Sequence, residues 1–213
     1  MRDNRFGRAG TSALAAALVG WSVAGPRIPT PWRVPMHAAV ATILLMVTGA
    51  PMGLRPPRLW SGLRLGSAVA AVAVAGVATT TLVPVVRQSM AGRAVPDSAP
   101  VWLLWQIPVG TVWAEEAAYR AALTSVAADT FGASKGRLLQ AAAFGLSHIA
   151  DARATGEPVL PTVLATGTAG WFFGWLANRS GSLLAPMLAH LAINASGAGA
   201  ALILQRRLLS SSR

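Results

Sequence analysis

The sequence predicts an all-α fold, a polytopic transmembrane bundle of about six to eight membrane helices. Three observations carry that prediction. First, 54% of the 213 residues are hydrophobic and 12% are charged, and the mean hydropathy is +0.51, values of a membrane chain rather than a soluble domain. Second, the apolar residues gather into runs approaching the roughly 20 residues that a helix needs to cross a bilayer. Third, short links rich in Arg and Pro separate the runs, and no soluble-looking block exceeds a loop. One integral-membrane domain follows.

The net charge of +11 raises the question of nucleic acid. The Arg residues, however, stand singly or in small groups at the ends of apolar runs, where they serve as snorkelling anchors. No basic face or long basic run of the kind that tracks phosphates is present, so nucleic acid is not an expected partner and the lipid bilayer is. With no Cys, disulfides and thiol catalysis are excluded.

The first run covers Ala13 to Ala24 behind a polar segment carrying Arg2, Arg5 and Arg8. That pattern also fits a cleavable signal peptide. With no exported soluble domain behind it, the run is read as a retained helix or membrane-edge segment. Pro26, Pro29 and Pro31 end it. A second run spans Met36 to Gly53, with His37 at its mouth, read as interfacial because no acidic residue neighbours it in sequence. A third, Leu63 to Val86, is rich in small residues that let membrane helices approach closely. Residues 87–99 read as a loop.

The fourth run, Val101 to Ala128, is long enough to span with tilt and carries two adjacent carboxylates near its middle. The fifth, Leu138 to Ala150, is short for a crossing. The sixth, Val159 to Ala177, contains Gly170-xxx-Gly174, a close-packing signal. The seventh, Leu183 to Leu204, ends at Arg206-Arg207. The distribution of Lys and Arg over alternate links leans toward an even number of crossings.

Charge inside such runs is costly, roughly 2.5–3.5 kcal/mol per residue at a helix centre, and marks an interior or wet cavity with a task. Three constellations qualify: Glu115-Glu116 with Arg120, Phe144 with His148, and His190 with Asn194. Residues four apart share a helix face, so Glu116 meets Arg120, Phe144 stacks over His148, and His190 and Asn194 point into one space. Glu115 turns away from Glu116, which predicts different partners for the two carboxylates. Glu116 is then held ionised by Arg120, and Glu115 is left to act as a general base. With a histidine it takes a proton from water, while a second histidine and an amide donate to an oxyanion. Taken singly, each of these groups also reads as interhelical packing.

Glu115-Glu116-xxx-Arg120, Phe144-xxx-His148 and His190-xxx-Asn194, in that order on successive apolar helices, resemble the three motifs of the CPBP intramembrane proteases, also called the CAAX protease or Abi family. The resemblance covers about residues 100–200. It implies variable N-terminal helices over 1–99, a catalytic helical core over 100–205 and a basic tail over 206–213. It further implies a glutamate-dependent endopeptidase of a bacterial cell membrane, acting on a membrane-associated peptide or protein. Carried over, Glu115 and His148 activate water, His190 and Asn194 stabilise the oxyanion, and Glu116, Arg120 and Phe144 support the site. Glu115, His148 and His190 also offer an open zinc site, whereas the water-activating pair needs no metal, and the residues leave both open. Two other readings compete: a non-hydrolytic immunity, adaptor or scaffold protein of the same fold, and a small transporter relaying protons through Glu115 and Glu116.

Overall fold

The computed structural model describes residues 6–211; Arg2 and Arg5 of the signal-like N-terminus, and the last two residues of the basic tail, lie outside them. Among the described residues the chain is helical, with no strand. Helix α1 (Gly7–Ala24) is followed by a 3-10 turn and by α2 (Thr30–Thr48), with Pro31 in the first turn, where a missing N–H costs nothing. Then come α3 (Arg58–Thr80) and α4 (Pro84–Gly92). Residues 87–99 are therefore not all loop: Pro84 opens a short helix that runs to Gly92.

A continuous helical stretch follows: α5 (Ala99–Val101), wide π-type turns over Trp102–Trp113 and again over Glu116–Leu123, and α6 (Thr124–Phe131). The Ala114 and Thr124 N–H groups reach the carbonyls five residues back, Val109 and Tyr119. Pro108 lies inside the first wide segment, where its missing N–H and its ring disfavour ordinary winding. Helix α7 (Ala133–Ser147) breaks at His148, and α8 (Ile149–Thr155), α9 (Val159–Ser180) and α10 (Leu184–Ser211) complete the chain. The short fifth run is thus the apolar half of a helix that begins at Ala133 among Ser134, Lys135 and Arg137. Arg206 and Arg207 belong to α10.

By length and composition, three helices among the described residues can cross a bilayer: Arg58–Thr80, Val159–Ser180 and the Leu184–Arg207 part of α10. Met46, Val72 and Leu104 expose their side chains to the surroundings, as lipid-facing residues do. This is a helical membrane protein.

Packing relies on missing side chains, because lipid gives apolar helices no solvent-driven reason to associate. A Cβ on Gly62 would sit 2.6 Å from Ser182 Oγ, and one on Gly66 2.9 Å from the Ala185 Cα, so α3 lies directly on α10. Gly53, at φ +62°, turns the α2–α3 link against the α9–α10 turn; a Cβ there would fall 2.0 Å from the Gly181 carbonyl oxygen. Beside it the Leu183 N–H donates to the Met52 carbonyl at 2.8 Å. Helices α7 and α9 meet through Gly145, whose Cβ would lie 2.6 Å from the Val163 carbonyl oxygen, and through Gly170 and Gly174. One core cluster joins α1, α2, the wide-turn helix and α7 around Tyr119, Leu123 and Phe144.

Candidate active site

The second wide-turn segment carries Glu116, Tyr119 and Arg120 into the interior, all buried. Glu116 Oε1 accepts a hydrogen bond from His190 Nδ1 at 2.7 Å, and its other oxygen lies 3.4 Å from Arg120 Nε, with both side chains of that ion pair fully buried. The expected Glu116–Arg120 pairing is present. Its geometry is loose, and none of the three guanidinium nitrogens has a hydrogen-bond partner.

What holds the guanidinium is aromatic. The Arg120 Cζ sits 3.7 Å from the Phe144 ring centroid and 5.1 Å from that of Phe173, cation–π contacts that gain strength when desolvated. Phe144 is the hub of the site. Tyr119 meets its ring edge-on at 5.2 Å and His148 at 4.7 Å, the stacking that the four-residue spacing predicts. The ring is fixed from behind by Gly170, where a Cβ would fall 2.8 Å from Phe144 Cδ1. Gly174 faces Gln140 and Arg137 in the same way. The Gly170-xxx-Gly174 pattern is therefore spent inside the protein, on α7.

His190 comes from α10 and stacks on Phe173, with ring centroids 5.1 Å apart and planes 26° from parallel. Its Nδ1–H is committed to Glu116. Its Nε2 faces Glu115 Oε2 at 3.8 Å, beyond hydrogen-bond range. Both glutamates therefore lie against one imidazole, one at each ring nitrogen. The expectation of different partners fails for two reasons: the ring is two-ended, and wide turns advance each residue through a smaller angle than an α-helix does. Glu115 is the partly exposed member of the pair, and its Oε2 is a buried atom with no hydrogen-bond partner.

His148, half-buried at the end of α7, donates from Nδ1 to the Phe144 carbonyl at 2.7 Å. In the neutral ring this leaves a lone pair on Nε2. Among the described residues no ion pair joins His148 to Glu115. Asn194, half-buried one turn beyond His190, makes no side-chain hydrogen bond among them. A zinc site needs three protein ligands converging on one point. Glu115 and His190 approach each other, but no group of three His, Cys, Asp or Glu able to hold a metal is found among the described residues. The residues as placed do not form the Glu115, His148 and His190 zinc set.

Phe173 and Gln140 are site residues that the motif spacing did not point to. The glycine pair on α9 was a signal for Gln140, which stands opposite Gly174, whereas Phe173 lies on α9 itself and had no such signal.

Residues 97–196 match the family model described as type II CAAX prenyl endopeptidase Rce1-like, and the matched segment contains all three motifs. No curated protein and no solved structure matches the chain. The family supports a protease-type function, of the CAAX peptidase kind, acting on a membrane-associated peptide. Residues 97–196 are therefore similar to the Rce1-like type II CAAX prenyl endopeptidases, in agreement with the CPBP motifs they carry.

Proposed function

We propose that the protein is an intramembrane endopeptidase that hydrolyses a peptide bond near the membrane-anchored end of its substrate, with Glu115 as the general base. The observation that carries this reading is the inequality of the two glutamates. Glu116 is fully buried, with Oε1 hydrogen-bonded to His190 and Oε2 in a 3.4 Å ion pair with Arg120, while Glu115 is partly exposed and its Oε2 comes no closer than 3.8 Å to His190 Nε2. A carboxylate in that state is able to take a proton, and a clamped one is not.

In the proposed reaction Glu115, assisted by His148, removes a proton from water, and the hydroxide adds to the substrate carbonyl carbon. Asn194 donates a hydrogen bond to the oxyanion from its amide, and His190, doubly protonated in this step with Nδ1–H on Glu116, donates from Nε2–H; a well-placed donor contributes about 3–4 kcal/mol in such a role. His190 is pre-oriented for it, because Glu116 and the Phe173 face fix its ring. The tetrahedral intermediate then collapses. The C–N bond breaks, the leaving amine takes the proton held by Glu115, and the new carboxylate departs. Glu116, Arg120 and Phe144 support the site without entering these steps.

The test compares purified wild type with Glu115→Ala on a panel of membrane-anchored peptides, including an S-farnesylated one, with and without chelator. Wild type cleaves, Glu115→Ala does not while keeping its melting temperature, and the chelator arm decides metal dependence. Cleavage by a well-folded Glu115→Ala protein overturns the assignment.

A further inference from the structure

A groove lined by no motif residue runs between the start of the wide-turn helix and the far end of α10, with a cavity volume of about 440 Å³, the size of a small-molecule site. Leu103 and Leu104 form one wall, and Gly199, Leu202 and Ile203 form the other. Arg206, one turn beyond Leu202 on the same face of α10, stands at one end. Gly199 keeps the groove open: among the described residues, a Cβ there would meet nothing within 4 Å. Leu104 and Ile203 expose their side chains, so the groove opens sideways to the lipid around the helices.

Two further observations bear on what the groove holds. The first is charge. Arg206 is exposed, and the ion pairs among the described residues all belong to the active site, so Asp97, the acidic residue of the link before α5, leaves the guanidinium unpaired. The Gln205 side-chain amide donates to the Arg93 carbonyl at 2.6 Å, which ties the last turns of α10 to the link that follows α4. Trp102 and Trp105 flank the leucines of the first wall, as aromatic residues do at a membrane–water boundary. The second observation is separation from the catalytic residues. Ile107, Val112 and Ala198 are buried in one cluster, and along both helices they stand between the groove and the Glu115–His190 pair. That plug sets the contents of the groove apart from a substrate at the reaction site.

We propose that the groove is a binding site for an anionic phospholipid, with one acyl chain between the apolar walls and the headgroup phosphate on Arg206. Charge decides the occupant: an uncharged prenyl chain would use the walls and leave Arg206 unpaired, whereas an anionic phospholipid uses both. Basic pockets between membrane helices take such headgroups, and one Arg near an anionic headgroup is worth a factor of about five in affinity. The wide-turn helix carries Glu115, and α10 carries His190 and Asn194. A lipid bound between them therefore ties together the two helices that build the active site. The inference stands on the groove and holds whether or not the protein is a protease.

The experiment is native mass spectrometry of the full chain in detergent, titrated with dioleoyl phosphatidylglycerol or dioleoyl phosphatidylcholine. Wild type binds one phosphatidylglycerol about fivefold more tightly than phosphatidylcholine, and its melting temperature rises further with the anionic lipid. Arg206→Gln, an exposed substitution that leaves the walls intact, binds the two lipids equally. Gly199→Leu, which fills the groove, loses the tight site for both, while Gly199→Ala, whose methyl has room, keeps it. Arg153→Gln, on α8, retains the wild-type preference. If Gly199→Leu does not fold, the Arg206→Gln arm decides alone. Equal binding of the two lipids by wild type overturns the proposal. So does a preference that survives in Arg206→Gln, or one that disappears in Arg153→Gln, the sign of a general positive field rather than a site. Displacement of the bound phosphatidylglycerol by a farnesylated peptide gives the groove to the substrate chain and overturns it as well.

Discussion

Replacing Glu116 by Gln keeps the side-chain shape and removes one charge from the most enclosed part of the molecule. Glu116 Oε2 is the carboxylate oxygen that faces Arg120, at 3.4 Å, and the guanidinium has no hydrogen-bond partner on any of its three nitrogens. With the carboxylate gone, the cation is left with the Phe144 and Phe173 ring faces, at 3.7 and 5.1 Å. Cation–π contacts offset about 2 kcal/mol when desolvated, while breaking a buried ion pair by removing one partner costs about 3–5 kcal/mol. At about 2–4 °C per kcal/mol for a chain of this size, the net loss of about 1–3 kcal/mol in Glu116→Gln lowers the melting temperature by roughly 2–12 °C. The amide also has to accept from His190 Nδ1 through its single oxygen, so it gains nothing in return. The assay is thermal unfolding in one detergent for Glu116→Gln, Arg120→Met and the double variant. The double variant removes both charges together and is more stable than the sum of the single losses, by about 2 kcal/mol or more. A loss below about 1 kcal/mol in Glu116→Gln, or strict additivity in the double variant, refutes the ion-pair reasoning.

Three further outcomes follow from the same geometry. Gly170→Ala pushes a methyl to within 2.8 Å of Phe144 Cδ1, and the ring has Arg120 on it and cannot retreat; an unfolding loss of about 1–3 kcal/mol is expected, measured by melting temperature. Gly145→Ala meets backbone, the Val163 carbonyl oxygen at 2.6 Å, so α7 and α9 must separate and the loss exceeds that of Gly170→Ala. Phe144→Leu keeps the apolar volume but removes the ring under the guanidinium and beside His148; stability falls by about 1–2 kcal/mol, and activity on the farnesylated peptide falls with it. The Phe144→Leu effect becomes small in an Arg120→Met background if the cation–π contact is its source.

Much of this site is legible in the sequence because charge within apolar runs is rare and helical spacing is regular. Glu116 with Arg120 and Phe144 with His148 are four residues apart, and each pair meets as that spacing requires. The small-residue rule likewise located Gly170-xxx-Gly174 as a close approach. What the sequence hid has physical reasons. Helix α7 begins among Ser134, Lys135 and Arg137, so a reading based on apolar runs catches only its second half. Helix α4, with Pro84 at its start and Arg87 within it, carries the composition of a loop. The wide turns around Glu115 and Glu116 shift residue directions away from the α-helical period, and that period is what predicted separate partners for the two carboxylates. Contacts between distant helices have no local signature at all: nothing near His190 announces Phe173.

The central claim is that water activated at Glu115 cuts the substrate. The direct measurement is cleavage of a membrane-anchored peptide in water enriched in oxygen-18, by wild type and by Glu115→Gln with matched melting temperature. The account predicts one solvent oxygen in the new carboxylate of the wild-type product and no product from Glu115→Gln. Labelled product formed by Glu115→Gln at the wild-type rate contradicts it.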